Sequence, residues 1–339
     1  MENHTNKRKK IAVIVGGPSH EHDVSLETGA NVLKHLPEEK YEGKRIFISL
    51  EGEWEVKPED LPGAYDAAFI AMHGAYGEDG TIQRILEDIA MPYTGSNSSV
   101  SALGMNKFLS LRIFKAAGLD VPATLFFSRN HWLRDRNDVL QKIAHHLKKP
   151  WVLKPNAAGS SVGVKIIDDK ANLTSSLDFI FREFKDIVIQ EYIEGREVTC
   201  GVLDYGDPET AFPLLPTEII PVERKFFDYK AKYDAGSHRE ITPARIPDPY
   251  LKEVRRIALF VHKLMGARHF SRTDMIISRD KKIYVLEINT IPGLTDQSLV
   301  PQEAEAYGIP FAKFLDIVLE STLRQGKKRA NTADIRRDK

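Results

Sequence analysis

RTDMIISRDKKIYVLEIN, residues 272–289, reads as two strands joined by a polar turn, since aliphatic and polar residues alternate on both sides of Ser278 to Lys282. With the turn centred between Asp280 and Lys281, residues whose numbers sum to 561 face each other across the hairpin. Asp274 then lies opposite Glu287, and Arg272 opposite Asn289. Side chains alternate along a strand, so all four project from one face, while Leu286 and Ile288 are expected to point to a core. That face carries three oxygen donors and a guanidinium. Two carboxylates directly opposite repel unless a cation lies between them, and a hard divalent ion such as Mg²⁺ takes one or two carboxylates together with phosphate oxygens. A solvated face with cross-strand ion pairs is the alternative.

Upstream, Leu251, Val254, Ala258, Val261 and Met265 mark a long helix closed by Gly266, and IVIQEYI is a further strand. WVLKP and VGVKII are short strands around PNAAGSSVG, residues 155–163, whose two glycines and two serines let backbone N–H groups curl around an anion. An ordinary surface hairpin fits that pattern as well, and no Walker GK[ST] is present. Lys154 stands at the loop entrance. With Lys107 and Lys232 it offers phosphate charge beside the hairpin's cation face, the combination that phosphoryl transfer needs. Hairpins with helices to one side indicate an α+β arrangement.

The first hundred residues differ. KIAVIV is a buried strand, followed by a helix pattern from Ser25 to Leu36. AAFIAM is a second buried strand ending at His73-Gly74, and Thr81 is expected to cap the helix after it. Strand, loop and helix repeated in this way predict an α/β layer with parallel strands, whose ligands sit at the strand C-ends. Glu21 and His73 fall at two such ends and suit a zwitterionic substrate. A capping acid with a surface histidine fits equally. His20-Glu21-His22-Asp23 has no HExxH spacing and is not read as zinc ligation. A single helix from Ser101 to Gly118, with Pro122 after it, is expected to lead into the next domain. Pro292-Gly293 forces a turn beside Asn289 that either presents amides to an oxyanion or is a plain connector. Cys200 and Trp54, Trp132 and Trp151 read as packing residues.

At 339 residues, 42% hydrophobic and 28% charged, the chain is long enough for two or three domains. Lys plus Arg equals Asp plus Glu at 48 each, so no charge excess points to nucleic acid or a membrane surface. One cysteine excludes an internal disulfide, and no apolar run is long enough for a signal or a membrane span. A cytoplasmic protein is expected. Both ends are basic: seven Lys/Arg against two Asp in 324–339 read as a solvated tail, which puts the folded part at about 10–323.

The segments GGPSHEHDVSL, HGAYGEDGTIQ, PYTGSNSSVSALGMNK, LKPNAAGSSVGV, EYIEGREVT, FFDYKAKY, SRTD and LEINTIPGLTDQSLVP together resemble the D-alanine–D-alanine ligases of the ATP-grasp superfamily. The likeness spans about Lys10 to Leu323. It implies a three-domain ATP-grasp fold of α/β and α+β parts with an N-terminal Rossmann-like parallel sheet. The divisions are a basic tail at 1–9, an N-terminal substrate domain at 10–106, a central subdomain at 107–195, a C-terminal metal-bearing subdomain at 196–323 and a basic tail at 324–339. The implied activity joins two D-alanines at the expense of ATP through an acyl phosphate, for peptidoglycan precursors, in a cytoplasmic homodimer. D-lactate or D-serine as second substrate, or a non-catalytic nucleotide-binding protein, are the alternatives.

By resemblance, Asp274, Glu287 and Asn289 match ligands of two Mg²⁺ ions, with Mn²⁺ as a substitute. Lys107, Lys154 and Lys232 match phosphate lysines, and Ser160 and Ser161 the loop over them. Gln190, Glu191, Ile193 and Glu197 match the adenine and ribose site. Glu21, Val24 and His73 match the first D-alanine's pocket. Arg272 and the Gly293 amide match oxyanion donors, and Ser298 with the Leu299 amide matches the anchor of the second carboxylate. Ser160, Tyr233 and Glu21 match a hydrogen-bonded trio, and relatives that form an ester with D-lactate generally lack this tyrosine. The chain departs from the usual family pattern at Asn106, at Asn156-Ala157-Ala158, at Gln190 (commonly Glu) and at Asp296-Gln297 (commonly Ser-His).

Overall fold

The KIAVIV run forms β1 (Lys9–Gly16), which lies between parallel neighbours β2 (Tyr41–Ile48) and β3 (Ala67–Ile70). The computed structural model describes residues 7–159, 162–221 and 238–337. Ile11 to Val15 are all buried because both faces of the sheet are covered. Ile11, Val13 and Val15 belong to the cluster that holds Phe314 and Val318, whereas Ala12 and Ile14 cluster with Ile82 and Leu86. Two covered faces explain an unbroken apolar run where an exposed sheet would alternate. The first helix, His22–His35, starts earlier than the apolar period suggests. Gly29 lets it approach β1, since a methyl there would collide with Val15.

The capping of the helix Thr81–Asp88 corrects one expectation. Asp79 Oδ1, not the Thr81 side chain, takes an amide at its start (Thr81 N, 2.9 Å), after Gly80 at φ 94°. The expected helix from Ser101 to Gly118 is two helices, Ser98–Met105 and Lys107–Ala116. Asn106 breaks them with an extended backbone and caps the second by accepting from Leu109 N at 3.1 Å. Asparagine competes with the helical backbone for donors, so the apolar period continues while the helix does not.

A second, antiparallel sheet holds β4 (Thr124–Ser128), β5 (Trp151–Pro155), β6 (Lys165–Ile167) and β7 (Asp186–Glu191) in the order β4-β7-β5-β6. Trp132, Trp151, Ile180 and Phe181 fill its core. The third sheet runs β11-β10-β8-β12-β13. Its strands are β8 (Gly195–Leu203), β10 (Thr217–Pro221), β11 (His238–Ile241), β12 (Phe270–Ser278) and β13 (Ile283–Asn289), with the short β9 (Phe212–Pro213) also on β8. The helix Asp248–Met265, closed by Gly266 at φ 70°, packs Val254, Ile257 and Val261 in one core with Cys200, Met275 and Val285. Cys200 is buried there, and burial pushes its thiol pKa up. Trp54, by contrast, is half-buried and donates to the Tyr76 hydroxyl at 3.0 Å.

The hairpin register is as expected at its open end, where Arg272 pairs with Asn289 and Asp274 with Glu287. It then shifts by one residue, so Met275 pairs with Val285. Leu286 is the extra residue of this bulge and lines the cleft with Glu287 instead of pointing to the core. The turn is correspondingly off the centre that a constant sum requires, with Lys281 at φ 68°. At the chain ends, Lys9 is already in β1 and bonded to Asp66 at 2.8 Å. The last helix, Phe311–Arg337, continues through most of the stretch expected to be a tail. Among the described residues, no helix is long and apolar enough to cross a membrane.

Candidate active site

The second and third sheets face each other across a cleft. β5, β6 and β7 contribute Val152, Lys154, Ile166 and Gln190, and the opposite wall supplies Glu197, Asp274, Ile276, Leu286 and Glu287. Glu191 lines it from the last position of β7, Ile193 from the segment that links the sheets, and Lys107 from the start of its helix. Eight residues expected at the nucleotide and metal sites therefore share one cavity. They are Lys107, Lys154, Gln190, Glu191, Ile193, Glu197, Asp274 and Glu287.

Charge concentrates at one end. Arg272 Nε and Nη2 donate to Asp274 Oδ1 and Oδ2 at 2.9 and 3.0 Å, a planar two-point pair, and Thr199 Oγ1 donates to the same Oδ1 at 2.6 Å. Burial works against the Arg272 charge, yet the adjoining Asp274 carboxylate overrides it and holds the guanidinium pKa above its ordinary value. Lys107 Nζ reaches Glu287 Oε2 at 3.0 Å and the Ala158 carbonyl at 2.7 Å. Asn156 explains how this lysine meets the Gly/Ser loop: its backbone oxygen accepts from Lys107 N and its Oδ1 from Phe108 N, both at 3.0 Å. Asn289 Oδ1 accepts from Ile291 N at 2.9 Å and so starts the following turn. A carboxamide oxygen keeps a second lone pair for another partner.

These donors fit a hard divalent cation. Two carboxylates and an amide oxygen sit on paired strands, and two side-chain cations, Arg272 and Lys107, balance the carboxylates. Among the described residues no group of three His, Cys, Asp or Glu could hold a metal. A cation here would rely on Asn289 and on oxygens brought by the ligand.

Glu21 is buried, and a Cβ on Gly159 would stand 2.8 Å from its Oε2, so the N-terminal acid lies against the Gly/Ser loop. Its backbone oxygen accepts from Ser25 Oγ (2.9 Å), which in turn accepts from His73 N at 3.0 Å. His73 is buried and not at the surface: Nε2 is 2.8 Å from Thr28 Oγ1, and Nδ1 is 3.5 Å from Glu78 Oε1. Glu78 also accepts from Gly74 N at 2.9 Å and pins the loop after the strand. Val24 is half-buried on the first helix.

The segment after Asn289 ties this wall to the hairpin. Ile291 is buried in the N-terminal core, and Asn31 Nδ2 donates to the Leu294 carbonyl at 2.8 Å. Ser298 makes no side-chain cap for the helix Leu299–Ala306. Its Oγ accepts from Thr295 N at 2.9 Å, and a Cβ on Gly293 would be 2.8 Å away. Arg272, Asn289, Gly293, Ser298 and Leu299 thus follow the cleft's charged end and are not among the residues lining the cavity. Ser160, Ser161, Lys232 and Tyr233 lie outside the described residues.

The sequence reading missed Glu303. It is wholly buried, and its Oε2 accepts from Gly201 N at 2.5 Å. A Cβ on Gly201 would stand 2.7 Å from that oxygen, and Gly201 pairs with Arg272, so the carboxyl sits on the face of the sheet that bears Arg272. Burial pushes its pKa up to about 8. A charged residue on a surface-like QEAEAY helix gave no signal, because only the pairing of β8 with β12 brings that helix onto the sheet.

Comparison with known proteins agrees along the chain. Residues 10–64 and 55–96 match the family described as D-ala D-ala ligase N-terminus, and 113–320 the one described as D-ala D-ala ligase C-terminus. The D-alanine–D-alanine ligase of Bacillus anthracis is 38% identical over 320 residues, covering 94% of this chain and 99% of its own. That of Citrifermentans bemidjiense is 38% identical over 315 residues, or 93% and 96%. The crystal structure of the B. anthracis enzyme complexed with ATP superposes with a TM-score of 0.78 at 34% identity, covering 95% of this chain and 99% of that one. The VanG D-Ala:D-Ser ligase from Enterococcus faecalis has a TM-score of 0.82 at 30% identity, covering 93% and 100%.

Proposed function

This chain belongs to the D-alanine–D-alanine ligase family, and from that membership and the cleft we propose that it joins two D-alanines with ATP to give D-alanyl-D-alanine, ADP and phosphate. The observation that carries the reading is the convergence of Lys107, Lys154, Asp274 and Glu287 in one apolar-walled slot, beside a loop packed on Glu21. A carboxylate oxygen of the first D-alanine attacks the γ-phosphorus, the bond to ADP breaks, and an acyl phosphate forms. The amine of the second D-alanine, having lost its proton, adds to the acyl carbon, and phosphate leaves.

Each residue has a part in this scheme. Lys107, Lys154 and Lys232 hold phosphate oxygens, under the loop of Ser160 and Ser161. Gln190, Glu191, Ile193 and Glu197 hold the adenosine. Asp274, Glu287 and Asn289 would hold two Mg²⁺ ions (or Mn²⁺), which supply neutralisation of the transferring charge. Glu21 takes the first ammonium, with Val24 at the methyl. His73, held by Thr28, fixes the strand end near the carboxylate. Arg272 and the Gly293 amide receive the oxyanion, and Ser298 with the Leu299 amide receives the second carboxylate. Tyr233 completes a trio with Ser160 and Glu21.

Domain divisions at 10–106, 107–195 and 196–323, a homodimer and a cytoplasmic setting are parts of the same reading, as is a role in peptidoglycan precursor synthesis. Likeness to a D-Ala:D-Ser ligase keeps D-serine, with D-lactate, as the competing second substrate, to be decided by the 293–299 loop. ADP release that requires D-alanine tests the proposal. No ADP release from folded protein supplied with ATP, Mg²⁺ and D-alanine overturns it.

A further inference from the structure

Thr124 sits opposite Gln190 where β4 pairs with β7, and Val152 sits opposite Gln190 on the other side. Directly opposed residues share a face of a sheet, and Val152 and Gln190 both line the cleft. Gln190 is only 2% exposed, so the orientation of its amide matters. Two distances fix that orientation. Thr124 Oγ1 is 2.7 Å from the Pro122 carbonyl and 3.1 Å from Gln190 Nε2. A carbonyl oxygen only accepts, so the one hydroxyl hydrogen goes to Pro122. A hydroxyl whose hydrogen is spent can only accept from its other neighbour. Gln190 must therefore turn its NH₂ to Thr124, which leaves Oε1 as the acceptor.

We propose that Thr124 is a specificity-determining residue. Its hydroxyl sets the polarity of the Gln190 amide, so the cleft takes a purine bearing a 6-amino donor and rejects a 6-oxo purine. This deepens the ligase reading and rests on it in taking the ligand to be ATP and in seating its base against Gln190. A 6-oxo base would bring an acceptor against Oε1. Flipping the amide to meet it would set Oε1 against the Thr124 lone pairs, so whichever way the amide turns, one end is left with two buried acceptors facing each other. The same polarity accounts for glutamine in place of the glutamate common in the family, because a carboxylate has no hydrogen to give Thr124.

Isothermal titration of the full chain with ATP and with inosine triphosphate, in the presence of Mg²⁺, tests this directly, since the two differ only at the base's 6-position and N1 proton. Wild type should favour ATP at least about tenfold, and Thr124→Val should reduce that preference by about tenfold. Thr124→Ser keeps the hydroxyl and should retain the preference. Thr124→Ala serves as a second hydroxyl-free variant if the valine does not fold. Equal affinity of wild type for both nucleotides overturns the inference, as does a hydroxyl-free variant that weakens both equally or changes neither. The ligase reading fails by a different result, phosphate release indifferent to D-alanine, and the binding ratio still decides the role of Thr124.

Discussion

Replacing Arg272 by lysine keeps the charge and removes the fork. Arg272 is bound to Asp274 by two bonds of 2.9 and 3.0 Å, and the two side chains are only 15% and 10% exposed. A lysine ammonium is a single mobile point that keeps at most one of these bonds, so one charge-assisted hydrogen bond is lost. If the same exchange also costs one charge-assisted donor toward the transition-state oxyanion, roughly 1.5–3 kcal/mol there corresponds to about 10- to 150-fold in rate. If the guanidinium meets charge that develops only in the transition state, kcat falls by that factor while the KM for ATP barely moves. Steady-state ADP release at varied ATP and saturating D-alanine measures both, with thermal unfolding as a check on the fold. A kcat within twofold of wild type, or a rise in KM alone, would refute the reasoning and place Arg272 in ground-state binding.

Glu287→Gln should lower turnover by at least about 100-fold with the fold intact, since it removes a carboxylate from the charged end of the cleft and the partner of Lys107 at 3.0 Å; near-normal activity in a Mg²⁺ titration would remove Glu287 from the metal assignment. Glu303→Gln should stabilise the protein increasingly as pH rises. The carboxyl keeps its proton in the folded state up to about pH 8 but loses it near 4.5 when unfolded, so the wild type is penalised progressively between those values, by up to a few kcal/mol. Urea unfolding of both proteins at pH 5 and pH 8 checks this, and a difference that does not change with pH would show that Glu303 is not held protonated. Gly29→Ala should cost roughly 1–3 kcal/mol through its clash with Val15 and leave activity per folded molecule unchanged, as melting and specific activity together would show.

Much of the site was legible because it is local. A hairpin places Asp274 against Glu287 by counting alone, and a lysine before a Gly/Ser loop announces itself. What escaped was whatever depends on contacts remote in the chain, or on which of two local rules wins. The bulge at Leu286 is invisible to strict alternation, since the residue is as apolar as a core residue. Asn106 looked like a polar position in a continuing helix, while its capping bond to Leu109 N starts a new one. Glu303 and Thr124 carry no motif at all. Their importance comes from Gly201 and Gln190, which lie across strand pairs. His73 was read with either role open, and the structure buries it against Thr28 and Glu78, where it braces a strand end.

The most direct test of the central claim is the identity of the product. Purified protein given ATP, Mg²⁺ and an equimolar mixture of D-alanine, D-serine and D-lactate should yield chiefly D-alanyl-D-alanine by mass spectrometry, with one ADP and one phosphate per dipeptide. A mixed dipeptide or an ester as the main product would contradict the second-substrate assignment, and phosphate release without any ligated product would contradict the ligase itself.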